Sequence, residues 1–125
     1  MNDGTPENSH NHHFSGKAKM MFIFFGEDDT FEHMPLYEAV IRRLRKLEIS
    51  GATVVRGIMG YGSQHRIFGP GTLGIPENRP ITIFVVENET KISRATEELK
   101  SMIKEGLVVV VDAFVHQFSN HENKQ

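Results

Sequence analysis

Four short apolar runs, separated by two amphipathic stretches, set the first limit on what this chain can fold into. The runs are MMFIFF (20–25), ATVVRGIM (52–59), PITIFVVE (80–87) and LVVVVDAFV (107–115). All are rich in β-branched or aromatic residues and too short for a typical globular helix, which reads as buried strands. The first amphipathic stretch, PLYEAVIRRLRKLEISG, places Leu36, Val40, Leu44 and Leu47 at helical spacing, with Tyr37, Ala39 and Ile41 widening the stripe. Pro35 suits the first helical position and Gly51 an exit shortly after the helix. In the second stretch Ile92, Ala95, Leu99, Met102 and Ile103 form the apolar face. Thr90 is placed to cap its start and Gly106 to terminate it.

The order strand, helix, strand, strand, helix, strand predicts an α+β, ferredoxin-like βαββαβ domain, an antiparallel sheet with both helices on one face. Right-handed crossovers leave few alternative topologies. The expected domain runs over residues 18–118. Residues 1–17 are polar, rich in Asn, His, Gly and Ser, and bury too little apolar area to offset the entropy of ordering; they are expected to form a disordered tail. Residues 119–125 form a second polar tail.

The chain has 125 residues, no cysteine and a formal net charge of -2. Disulfides, thiolate metal sites and cysteine nucleophiles are therefore excluded. The charge balance argues against whole-domain electrostatic binding to nucleic acid. The basic run Arg42, Arg43, Arg45 and Lys46 is flanked by Glu38 and Glu48 and reads as a solvated helix face. No apolar run reaches membrane-helix length and the N-terminus lacks signal-peptide features, so a cytoplasmic location is expected.

Between the second and third strands lies RGIMGYGSQHRIFGPGTLGIPENRP (56–80), a connection long enough to demand a reason. Gly57, Gly60 and Gly62 permit close backbone approach to a ligand, and successive N–H groups can cradle an anion. Arg56 and Arg66 supply positive charge; Ser63, Gln64 and His65 supply further hydrogen-bonding groups. Two readings fit this composition: a site for a small anion such as phosphate, or a glycine-rich turn with solvated charges. Neither a P-loop nor a complete dinucleotide fingerprint is present. His10, His12 and His13 in the tail could bind metal adventitiously. Glu27, Asp28 and Asp29, with His33 nearby, read as a solvated turn more readily than as a metal or acid–base site. No nucleophile–base–carboxylate set can be placed, so an enzyme is not expected.

The stretches GATVVRGIMGYGSQHRI, RPITIFVVENETKI and MIKEGLVVVVDAFV resemble the PII-like family known as domain of unknown function family 190, over residues 20–115. More distantly, Gly60-Tyr61-Gly62-Ser63-Gln64 resembles the segment that opens the T-loop of PII nitrogen-regulatory proteins. The resemblance implies a homotrimer that binds ATP, ADP, AMP or another small anionic ligand in clefts between subunits. It implies that Gly60, Tyr61, Gly62, Ser63 and Gln64 contribute at the loop base, and that residues 60–79 contact a protein or membrane-transporter partner. Lys104-Glu105-Gly106-Leu107 stands where the PII proteins carry a Gly-Asp-Gly-Lys phosphate loop: Gly106 matches, Leu107 replaces the lysine, Lys104 would supply charge from a different position, and the arginines that follow their last strand are replaced by His116, Gln117 and Phe118. A trimeric metal-binding protein of similar fold, using His65, His33 or His116, is the alternative.

Overall fold

The computed structural model describes residues 15–62, 67–68 and 78–119. Its frame is a four-stranded antiparallel sheet in the order β4-β7-β1-β8, where β1 is Gly16–Gly26, β4 Ala52–Arg56, β7 Pro80–Glu87 and β8 Leu107–Val115. Two helices, α1 (Leu36–Lys46) and α2 (Glu89–Lys100), complete the expected split βαβ order. Two small hairpins are added to it: β2 (Thr30–Phe31) with β3 (Met34–Pro35), and β5 (Gly60–Tyr61) with β6 (Ile67–Phe68).

Strand parity explains where the helices go. Met21, Ile23 and Phe25 of β1 and Ile81, Ile83 and Val85 of β7 share one face, because Met21 pairs with Val85, Ile23 with Ile83 and Phe25 with Ile81. All six are buried in one cluster with Leu36, Val40 and Leu44 of α1 and Ile92, Ala95 and Leu99 of α2. Both helices therefore cover the same face, as expected. The opposite face carries Met20, Phe22 and Phe24, Phe84 and Val86, Val55, and Leu107, Val109 and Val111. Phe22 meets Phe84 edge-on at 5.6 Å. No described element covers this face, and Val109 and Val111 stay about 40% exposed.

Several local details differ from the sequence expectation. β1 starts at Gly16, two residues before the expected domain start, because Gly16 and Lys17 find antiparallel partners in Val115 and Phe114. Pro35 is the N-cap residue of α1 rather than its first helical residue. The exit is a Schellman turn: Glu48 N–H donates to Arg45 O at 2.9 Å and Ile49 N–H to Leu44 O at 3.1 Å, with Glu48 at φ 63°. Glu48 thus holds the left-handed position expected near Gly51. At α2 the cap is Asn88, not Thr90; its side chain accepts from Lys91 N–H at 2.8 Å. The helix ends at Lys100, so Gly106 does not terminate it. β4 stops at Arg56, where Gly57 N–H donates to Pro80 O at 2.7 Å.

Candidate functional site at the loop base

Register puts one end of the sheet at the centre of the functional question. Arg56 closes β4 opposite Ile81, Pro80 opens β7 opposite Gly26, and Leu107 opens β8 opposite Phe24. Both stems of the 56–80 connection, the turn after β1 and the start of β8 therefore gather at the same end.

The two stems are tied to each other and to the turn after β1. Glu27 N–H donates to Arg79 O at 2.8 Å, and Asp28 N–H to the Asn78 side-chain oxygen at 2.8 Å. Arg79 donates to Ile58 O at 3.2 Å. Arg56 donates through Nη2 to Glu27 Oε2 at 2.6 Å. Because Arg56 pairs with core-facing Ile81, it lies on the helix side of the sheet. Charge at this end is mixed, with Arg56, Arg79 and Lys104 set against Glu27, Asp28 and Asp29.

The glycines divide into two kinds. A Cβ on Gly57 would stand 2.7 Å from Pro80 Cγ, and one on Gly26 would stand 2.8 Å from Asn78 Oδ1. Gly57 packs against the rigid Pro80 ring, whereas at Gly26 the neighbour is the end of the Asn78 side chain. Among the described residues, Gly62 has nothing within 4 Å of a would-be Cβ. None of Gly57, Gly60 and Gly62 takes a left-handed φ. An anion nest of alternating hand is therefore absent from the described part of the loop base, and the Gly57 N–H is already engaged.

Of the expected ligand residues, Arg56, Gly60, Tyr61 and Gly62 sit together at the β4 edge, with Gly60 and Tyr61 in the small hairpin. Tyr61 is 70% exposed. Lys104 and Gly106 lie at the β8 edge, at the same end but across the sheet. With β7 and β1 between the two edges, they stand about 14 Å apart at a spacing of about 4.8 Å per strand. Ser63, Gln64, His65 and Arg66 lie outside the described residues, as do His10, His12 and His13. Among the described residues no group of three or more His, Cys, Asp or Glu side chains could hold a metal ion. His33 sits in the turn of the β2–β3 hairpin, and His116 lies 5.1 Å from the Phe114 ring. The sequence reading overlooked Asn78 and Arg79. Their signal was faint: two polar residues before Pro80, in a segment without periodicity.

The fold is that of a PII-like, ferredoxin-like protein. The chain belongs to the DUF190 family, described as "Uncharacterized ACR", whose model matches residues 18–115. It is 33% identical over 99 residues to a UPF0166 protein of Aquifex aeolicus, covering 79% of this chain and 93% of that one. It is 34% identical over 111 residues to UPF0166 protein MJ1524 of Methanocaldococcus jannaschii, covering 85% and 98%. Among solved structures it is similar to CPII, a nitrogen regulatory PII-like protein from Thiomonas intermedia K12 bound to ADP, AMP and bicarbonate. That likeness has a TM-score of 0.64 at 19% identity, covering 81% of this chain and 90% of that one. It also resembles the divalent ion tolerance protein CutA1 of Ehrlichia chaffeensis, with a TM-score of 0.51 at 13% identity, covering 89% and 91%. No helix among the described residues is long and apolar enough to cross a membrane.

Proposed function

We propose that this chain is a non-enzymatic, PII-like regulatory protein. It forms a homotrimer, binds an adenine nucleotide or another small anionic ligand in clefts between subunits, and acts on a partner through the loop of residues 60–79. The observation that carries the reading is the division of the candidate residues between opposite sheet edges. Arg56 and Gly60–Gly62 lie at the β4 edge, Lys104 and Gly106 at the β8 edge, all at one end of the sheet. A ligand that contacts both sets is best served by two chains meeting edge to edge. The uncovered apolar face and the valine-rich edge strand β8 supply a reason for the chains to meet, since such surfaces are normally covered.

The ligand class is motivated by the arginines of the stems and by CPII, which was crystallised with ADP, AMP and bicarbonate. Exposed Ile58, Met59 and Tyr61 at the loop base offer apolar surface to a partner. Isothermal titration with ATP, ADP and AMP, with and without bicarbonate, tests the reading, together with light scattering for the trimer. Absence of heat and of any shift in Tm at millimolar nucleotide would defeat the nucleotide version. For the metal-binding alternative, the motivation is the likeness in fold to CutA1. Equilibrium dialysis against divalent cations, with and without residues 1–17, separates it: metal retained without the tail would favour that alternative.

A further inference from the structure

We infer that Glu27 is a built-in competitor for the anion at the loop base, setting how much negative charge a ligand needs in order to recruit Arg56. This deepens the reading above and rests on it. Arg56 is the one expected anion donor in the described loop base whose guanidinium has a defined ionic partner. That partner, Glu27 Oε2, lies at 2.6 Å.

The carboxylate is held firmly at its root. Glu27 N–H is bonded to Arg79 O, and Asp28 N–H to the Asn78 side chain, both at 2.8 Å. Arg56 is the more solvent-accessible member: its side chain is 58% exposed, against 23% for Glu27. A guanidinium carries five N–H donors and accepts bidentate anions, whereas Glu27 engages Nη2. An arriving anion must therefore draw Arg56 away from Glu27 or share it while lying close to a fixed carboxylate. Either route penalises a weakly charged ligand more than a phosphate chain. Asp28 and Asp29 in the same turn add to the local negative potential. Glu27 is accordingly a positioning residue that contacts Arg56 and tunes ligand choice by charge.

The test is titration of ADP and of inorganic phosphate into the full chain and into Glu27→Gln, Arg56→Gln and the double variant. An exposed charge pair of this kind sets the scale, so Glu27→Gln should bind ADP about two- to fivefold more tightly. The proportional gain should be larger for inorganic phosphate, and both gains should vanish when Arg56→Gln is also present. Glu27→Asp, which shortens the reach to Arg56, should act in the same direction and replaces Glu27→Gln if that variant does not fold. ADP binding by the unaltered chain with equal or weaker binding by a folded Glu27→Gln would overturn this inference alone. A gain that survives Arg56→Gln would overturn it too. Silence from every variant, with all of them folded, would remove the loop-base site itself and this inference with it. Binding that appears only in Glu27→Gln would support the competitor role directly.

Discussion

A Cβ on Gly106 would stand 2.4 Å from the carbonyl oxygen of Phe24. The glycine is thus required where β8 begins to pair with the end of β1, before any ligand is considered. Phe24 is paired with Leu107, so the clash cannot be relieved without moving the first rung of the ladder. Gly106→Ala should destabilise the fold by about 1–3 kcal/mol, as overpacking against fixed neighbours does. Urea unfolding measures this; an unchanged midpoint would show that the start of β8 moves freely.

Glu87 is the buried charged residue of the described chain, 5% exposed, and its two oxygens accept from Ser50 N–H at 2.8 Å and Asn88 N–H at 3.1 Å. It ties the approach to β4 to the start of α2. Glu87→Ala leaves both amides without this acceptor and should cost about 1–3 kcal/mol. Glu87→Gln keeps one carbonyl acceptor and should cost less. Equal losses for the two would mean that the hydrogen bonds are not what matters.

Glu48 occupies the left-handed position of the α1 exit at φ 63°. A residue with a Cβ is strained there, by about 1 kcal/mol relative to glycine. Glu48→Gly should therefore raise stability by roughly that amount, since the Lys91 side chain bonds the backbone oxygen of Glu48 rather than its carboxylate. A lower Tm would point to an unrecognised role of the Glu48 side chain.

Lys19 and Asp112 face each other across β1 and β8. The hydrogen bond from Lys19 holds the Asp112 carboxyl below the usual carboxylate range, and the same bond raises Lys19. The Asp112 contribution is present above its unfolded pKa of about 3.9 and is lost as pH falls through the lower folded value. The Lys19 contribution is present below about pH 10.4 and is lost as pH rises through the higher folded value. Asp112→Asn should therefore flatten part of the acid limb of a Tm-against-pH curve. The difference should be small and shrink with added salt, because the pair is exposed. An acid limb identical to that of the unaltered chain would show that the pair contributes nothing.

Phe22 and Val109 are directly opposite each other on the uncovered face. If that face is buried between copies, Val109→Glu places a charge in an apolar interface and should leave a smaller species by light scattering, with the far-ultraviolet circular dichroism retained. An unchanged mass of the assembly would exclude this face as the interface.

Most of the frame was legible because strands and helices bury faces with different periods. Met21, Ile23 and Phe25 alternate, Leu36, Val40 and Leu44 recur helically, and both patterns survive into the core. Caps and turns were less legible. Asn88 and Thr90 are both good capping types, and only the backbone path chooses between them. Glu48 in a left-handed position contradicts the preference that pointed to Gly51, and closure of the Schellman bonds overrides it. The site was half legible. Arg56 and the glycines were visible, but the partner of Arg56 lies 29 positions earlier, in a turn that reads as ordinary solvated charge. Gly106 reads locally as a helix stop and as a phosphate-loop match, whereas its contact with Phe24 O depends on a strand pairing that local pattern does not reveal.

The most direct test of the central claim is complementation between subunits. Arg56→Glu disables the β4-edge half of the proposed site and Lys104→Glu the β8-edge half. Each variant alone should lose ADP binding while remaining folded. Mixed assemblies, formed by refolding the two together, should regain a fraction of the native-affinity sites in an ADP titration. Folded variants that are each silent, with a mixture that stays silent, would contradict a site built between two chains.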